Sequence, residues 1–205
     1  MRRSIGSVSM VVAFVLAVGG RVLAAEGEDA KANAKVQEAA MMEKAKQLGA
    51  PSQGHQMLEP FAGKWRHTVR WQMAPDAKPE ESTGTNENSW IMGGRFLKQE
   101  AKGQAMGEPF EGLGILGYDN IRQEYSSIWI DNMNTSMMTA TGRYDALTKT
   151  LHEQGSFSCP ITGETHRSFR TVWKIIDRDH YVYEGYSLGP DGKEFKSLEV
   201  SYTRE

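Results

Sequence analysis

From Trp65 to the C-terminus the chain alternates with a period of two, and this sustained alternation most limits the folds open to it. Trp65, His67, Val69, Trp71 and Met73 share one strand face, while Arg66, Thr68, Arg70 and Gln72 share the other. Further strand-length segments run from Thr83 to Met92, Arg95 to Gln104, Pro109 to Tyr118, Gln123 to Asp131 and Ser136 to Arg143. They continue from Leu147 to Phe157, Thr165 to Ile176, His180 to Leu188 and Glu194 to Arg204. Between them lie Met92-Gly93-Gly94-Arg95, Tyr118-Asp119-Asn120, Tyr144-Asp145-Ala146, Thr162-Gly163-Glu164, Asp177-Arg178-Asp179 and Gly189-Pro190-Asp191-Gly192, which supply the residues of tight turns. Short turns joining successive strands make an antiparallel up-and-down meander, and closing it into a barrel removes its exposed edges. The expected fold is all-β, an antiparallel up-and-down barrel of about 8–10 strands with room inside for one small ligand. An N-terminal helix precedes it.

Closure needs the first and last strands to meet. Gly63-Lys64-Trp65 opens the first, and Arg204 lies at the end of the last. If Arg204 faces inward, Tyr202, Val200 and Leu198 do so too, while Thr203, Ser201 and Glu199 face out. The parity that carries Arg204 to Trp65 therefore also buries the apolar residues. A cation over a partly buried indole contributes on the order of 1–2 kcal/mol. Gly63, Trp65 and Arg204 are assigned to barrel closure.

The first residues read differently. Met1-Arg2-Arg3 is basic, Ile5 to Val18 is mainly apolar, and Val22-Leu23-Ala24 followed by Ala25 offers small residues to a signal peptidase. The apolar run is shorter than the roughly 20 residues that span a bilayer. Residues 1–24 thus read as a secretory signal peptide, with an uncleaved anchor as the alternative. No Cys follows the run to make a lipoprotein. The protein is expected to be exported, periplasmic or secreted, with no stable membrane insertion after cleavage. Residues 25–53 form a helical leader, its Glu26–Leu48 stretch rich in Ala, Lys, Glu, Gln and Met, and residues 54–205 form the barrel domain. Val36, Ala40, Met41 and Leu48 fall roughly on one side of the leader, which suits either docking on a barrel or a soluble tether.

The net charge of the whole chain is −2, and the signal segment holds Arg2, Arg3 and Arg21, so the remainder is more acidic. Nucleic acids and anionic membranes reward clustered Lys and Arg, and neither is expected as a partner. Cys159 is the single cysteine, which excludes an intramolecular disulfide and leaves a loop thiol before Pro160.

Several motifs together resemble a known family. They are Gly54-His55 ahead of Leu58, Phe61-Ala62-Gly63-Lys64-Trp65, Met92-Gly93-Gly94-Arg95-Phe96-Leu97, Phe110-Glu111-Gly112-Leu113-Gly114-Ile115-Leu116-Gly117-Tyr118-Asp119 and Trp129-Ile130-Asp131. In order and spacing they are similar to the bacterial domain of unknown function number 1579, from about His55 to the C-terminus. The resemblance implies a calycin-like, or lipocalin-like, barrel, and it implies no substrate, cofactor or catalytic residue.

Gly112-Leu113-Gly114-Ile115-Leu116-Gly117 has the look of a dinucleotide loop, but a strand follows it instead of a helix, and a Rossmann fingerprint needs the helix. The glycines instead relieve crowding where a strand bends. In the next segment Tyr125, Ser127, Trp129 and Asp131 share one face, and Ser126, Ile128 and Ile130 the other. Either Trp129 and Asp131 line a cavity with Tyr118 and Asp119 nearby, or the isoleucines point inward, Trp129 packs outside and both aspartates cap turns. The second reading is preferred. His67 on the inner face is a candidate ligand contact, with haem iron as an alternative role by analogy with nitrobindin-type barrels. No metal site is expected: His152, His166 and His180 have no ligand spacing, and Met133, Met137 and Met138 read as adaptable packing. Glu80-Glu81 reads as solvated loop; Glu87, Glu100 and Glu111 have no legible partner.

The functional expectation is a barrel that binds a small apolar or amphipathic molecule in its interior, with no cofactor predicted. Its tentative contacts are His67, Trp71, Tyr118, Trp129 and Asp131, with His67, Arg70 or Arg204 supplying polar definition. The alternatives are a small enzyme in the same cavity, with Asp131, Asp119 and His67 as first candidates, or a filled barrel acting as a protein-interaction module.

Overall fold

In a computed structural model, which describes residues 30–205, ten antiparallel strands hydrogen-bond in sequence order and the last pairs with the first. The strands are β1 (Gly63–Trp71), β2 (Glu80–Ile91), β3 (Phe96–Ala105), β4 (Glu108–Asp119), β5 (Glu124–Asp131), β6 (Met138–Asp145), β7 (Thr150–Phe157), β8 (Arg167–Ile175), β9 (His180–Leu188) and β10 (Glu194–Arg204). The all-β up-and-down barrel read from the alternation is the fold observed. Strand β2 begins earlier than the alternation suggested: Glu80 and Glu81 pair with Trp71 and Arg70, so they are strand and not loop. Strand β1 ends at Trp71, and Met73 lies beyond it, exposed.

Helix α1 covers residues 30–48 and is exposed along its length. It lies in a unit that ends at Gly49, and the barrel forms a second, Ala50–Glu205. The signal-peptide segment lies outside the described residues. Among the described residues, no helix is long and apolar enough to cross a membrane.

Within the barrel unit, a short helix α2 (Gln53–Gln56) and a single 3-10 turn (Glu59–Phe61) precede β1 and fill one end of the barrel. Local chemistry holds this plug in shape. The Ser52 N–H donates to Nδ1 of His55 at 3.0 Å, closing the first turn, and the ring of His55 meets Tyr118 edge-on at 5.8 Å. Gly54 has no alternative residue here, because a Cβ would sit inside the Tyr118 ring. Its carbonyl also accepts the Tyr125 hydroxyl at 2.9 Å. Leu58 and Phe61 are fully buried against Trp65, Leu97, Leu116, Leu151, Trp173 and Tyr181.

The seam between β1 and β10 lies directly over this plug. Trp65 and Arg204 are partners in the register, and the guanidinium carbon stands 4.0 Å from the indole centroid. Nη1 of Arg204 donates to the Ala62 carbonyl at 2.8 Å, Nη2 to that of Pro60 at 3.1 Å and Nε to that of Arg178 at 3.1 Å. Gly63, at φ +122°, leaves the space that Nη1 occupies. Trp65 Nε1 and Asn88 Nδ2 both donate to the Phe61 carbonyl, at 3.0 and 2.7 Å. The arginine therefore ties the last strand to the first strand and to the plug at once. Arg204→Ala should lower unfolding stability by about 2–4 kcal/mol, from the lost stack and carbonyl bonds. Lys64→Ala, one residue from the same tryptophan but exposed, should cost less than about 0.5 kcal/mol; chemical denaturation of both variants makes the comparison, and equal losses would contradict the seam.

Candidate functional site: the open half of the barrel

The register fixes which side chains face inward. From Trp65 opposite Arg204 and Asn86, the inward series runs through His67, Val69 and Trp71 on β1 and through Tyr202, Val200 and Leu198 on β10. It continues through Tyr181 and Tyr183 on β9, Phe169, Thr171 and Trp173 on β8, and Leu151, Glu153 and Gly155 on β7. The plugged end is close-packed. Toward the opposite end, Val69, Trp71, Ser127, Trp129, Phe169, Tyr183, Leu198 and Tyr202 all point inward yet keep part of their surface accessible. A side chain enclosed by a continuous wall keeps such surface only where the interior is unfilled. Burial pushes the Tyr183 and Tyr202 phenols well above the usual tyrosine range. At the rim, Trp71, Glu80, Ser82 and Gly103 from the inner face and Glu81 and Thr83 from the outer one border, with Met106 and Gly107, a depression of about 920 Å³.

Glycines in this half accommodate the large inward side chains of neighbouring strands. Gly112 and Gly114 face inward, and the Trp129 indole lies across both, where a Cβ on either would collide with it. They make room for a tryptophan, which is a different reason from the strand bend expected from the motif.

Tyr125, Ser127, Trp129 and Asp131 are the inward face of β5, and Ile130 is exposed on the outer wall. This corrects the preferred sequence reading, which turned the isoleucines inward. Both of its turn caps are nonetheless present: Asp119 Oδ1 accepts from the Ile121 and Arg122 amides, and Asp131 Oδ1 from that of Met133 at 2.9 Å. Asp131 Oδ2 also accepts the Trp129 indole N–H at 2.9 Å, fixing that ring at the open end. Tyr118 is not brought to this group. It packs on Gly54 at the plug, six residues along β4 from the position opposite Asp131, or about 20 Å at strand rise. Arg70 points outward and pairs with Glu81 at 2.8 Å, so it gives the lumen no polar definition. Trp71 stands at the rim.

His67 faces inward, 7% exposed, edge-on to Tyr202 at 5.6 Å, and burial lowers its pKa, leaving the neutral imidazole. Its Nε2 lies over Gly84, in the space a Cβ would take, and its Nδ1 has no hydrogen-bond partner. A haem iron needs an imidazole nitrogen with open space before it, and Nε2 leaning on β2 does not fit that role.

The sequence reading passed over Glu153. It is 2% exposed and faces inward on β7 between Gly142 and Thr171. Its Oε2 accepts the Trp173 indole N–H at 2.7 Å and the Thr171 hydroxyl at 3.2 Å. Oε1 has no aligned partner. Burial, opposed by bonding from Ser127, Trp173 and Thr171, raises its pKa, so the neutral acid is favoured. The signal was available in phase: Leu151 is an inward apolar position, and two residues on the alternation gives an inward acid. The carboxylates considered from sequence, Glu87, Glu100 and Glu111, fall on the outer phase.

A carboxyl whose folded pKa is raised holds a proton that the unfolded chain releases, so its contribution to stability falls as pH rises above the ordinary value of 4.5. Glu153→Gln removes that dependence. Its melting temperature relative to the parent protein should be higher at about pH 8 than at about pH 5; the same difference at both values would contradict a neutral buried acid.

The crystal structure of Rv2717c from M. tuberculosis shares the fold, with a TM-score of 0.57 at 16% identity, covering 76% of this chain and 99% of that one. A redesigned β-barrel is a looser likeness, with a TM-score of 0.37 at 14% identity over 73% of this chain and 95% of that chain. So is a DUF3598-family protein with unknown function from Nostoc punctiforme, with a TM-score of 0.35 at 13% identity over 72% of this chain and 48% of that chain. No curated protein matches the chain. The family model described as "Protein of unknown function (DUF1579)" matches residues 50–204, the whole barrel with its plug, and the chain belongs to that family.

Proposed function

We propose that the barrel binds one small apolar or amphipathic molecule in the open half of its interior. The observation that supports this most directly is the set of inward aromatic and aliphatic side chains that retain accessible surface inside a closed wall. Removing such surface from water by covering it with a ligand is favourable by roughly 25 cal/mol per Å² of apolar area. The asymmetry of the barrel gives the ligand one way in: the plug and the Arg204 seam occupy one end, and the depression bordered by Trp71 and Met106 lies at the other. Trp129, held by Asp131, offers a fixed aromatic wall there.

An uncharged fluorescent probe such as N-phenylnaphthylamine should bind saturably and at one equivalent. Ser82→Trp places a large ring inside the rim and should weaken binding by at least about tenfold, a loss of about 1.4 kcal/mol. Ser126→Trp, on the outer wall, should leave binding unchanged. Equal binding by both variants, or no saturable binding by the parent protein, would reject the interior site.

A further inference from the structure

On β4 and β5 the outer face of the barrel breaks the polar-out pattern of a half-buried strand. The outer side chains of β1 are Lys64, Arg66, Thr68 and Arg70, and those of β2 from Glu81 to Ser89 are Glu, Thr and Ser. On β4, by contrast, Leu113 and Ile115 face outward as the cross-strand partners of Ile130 and Ile128 on β5. Ile130 is 38% exposed, and the other three keep part of their surface accessible. Turning Trp129 inward is what puts the two isoleucines outside, and the interior site makes no use of them. Four aliphatic side chains thus form a square on the outer wall, where apolar surface of this kind marks a site of contact.

The residues beside the square say what it fits. On β3, Lys98 pairs with Ile115 and Glu100 with Leu113, so one outer row reads Lys98, Ile115, Ile128 and the next reads Glu100, Leu113, Ile130. A two-fold axis lying across the strands between these rows, level with Gln99 and Gly114, exchanges them. It sets Lys98 against Glu100 of a second copy, Ile115 against Leu113 and Ile128 against Ile130, with like strands stacked face to face in aligned packing. The rows on either side exchange as well, Phe96 meeting Lys102 and Gly117 meeting Glu111, and no like charges are brought together. The face is complementary to itself.

We propose that the outer face of β3, β4 and β5 is a homodimer interface, in which the aliphatic square is buried against the same square of a second copy and Lys98 pairs with Glu100 across the two-fold. Within one chain Lys98 Nζ lies 2.8 Å from Glu100 Oε2. The axis brings two such pairs together, so that each cation gains a second anion. Exposed pairs of this kind add little energy and fix the register, while burial of the aliphatic groups supplies the affinity. A nucleic acid or an anionic surface would need an excess of cations, and this face offers its charges in balance.

Sedimentation of the whole protein over a concentration series tests the interface. The parent protein should pass from monomer to dimer in the micromolar range. Ile130→Glu should raise the dissociation constant at least about tenfold, and so should Lys98→Glu or Glu100→Lys, since each sets like charges opposite one another across the axis. Mixing the last two variants separates pairing between copies from repair within one. Their rows are complementary, so an equimolar mixture should form a heterodimer with about the parent's affinity although neither variant pairs with itself. A parent protein that stays monomeric at roughly 1 mM would overturn the interface. Dimerisation indifferent to all three substitutions, or a mixture that stays monomeric while the parent dimerises, would overturn it too. Monomeric parent protein that binds vesicles of phosphatidylcholine, with binding lost in Ile130→Glu, would assign the square to a lipid surface and overturn the dimer.

Discussion

The Arg204 guanidinium on the face of Trp65 is the contact on which the rest of the architecture depends. Ten strands in sequence order make a closed surface only if the last pairs with the first, and the pairing register places these two residues opposite each other. The indole gives the half-buried cation an aromatic face, three backbone carbonyls take its donors, and Asp179 lies 3.6 Å from Nε. Two of those carbonyls, of Pro60 and Ala62, belong to the segment that fills the barrel end. The seam and the plug are therefore one structure.

That coupling makes the barrel asymmetric. At the plugged end Leu58, Phe61, Leu97, Leu116 and Leu151 have no exposed surface, and the aromatic rings pack edge to face. Beyond it, glycines replace side chains at inward positions on several strands, and the polar groups Thr171 and Glu153 enter the wall. A packed end supplies the stability, and it allows the other end to stay under-filled.

Much of the fold could be read from sequence because alternation in a barrel wall repeats one rule at every strand, and tight turns carry Gly, Asn and Asp for stereochemical reasons. The seam was legible by the same parity. The site was less so. Tyr118 and Trp129 both face inward, but only the hydrogen-bond register shows that they lie at different ends. On β5 either face could have been the inner one, because an aromatic residue sits on one and two isoleucines on the other. The tie was broken by Gly112 and Gly114 across the strand pair, which a single strand's pattern does not contain. Glu153 was missed because a lone acid between His152 and Gln154 looks like ordinary solvated strand until Leu151 sets the phase.

A closed, plugged end is joined to an interior that the aromatic side chains of the other half leave unfilled. The most direct measurement is a high-resolution crystal structure of the protein purified from its own source, examined for non-protein density in the open half. Density in contact with Trp129 and Tyr183 is the expected result. An interior filled by the protein's own side chains, with Trp129, Phe169 and Tyr183 meeting across it, would contradict an interior binding site.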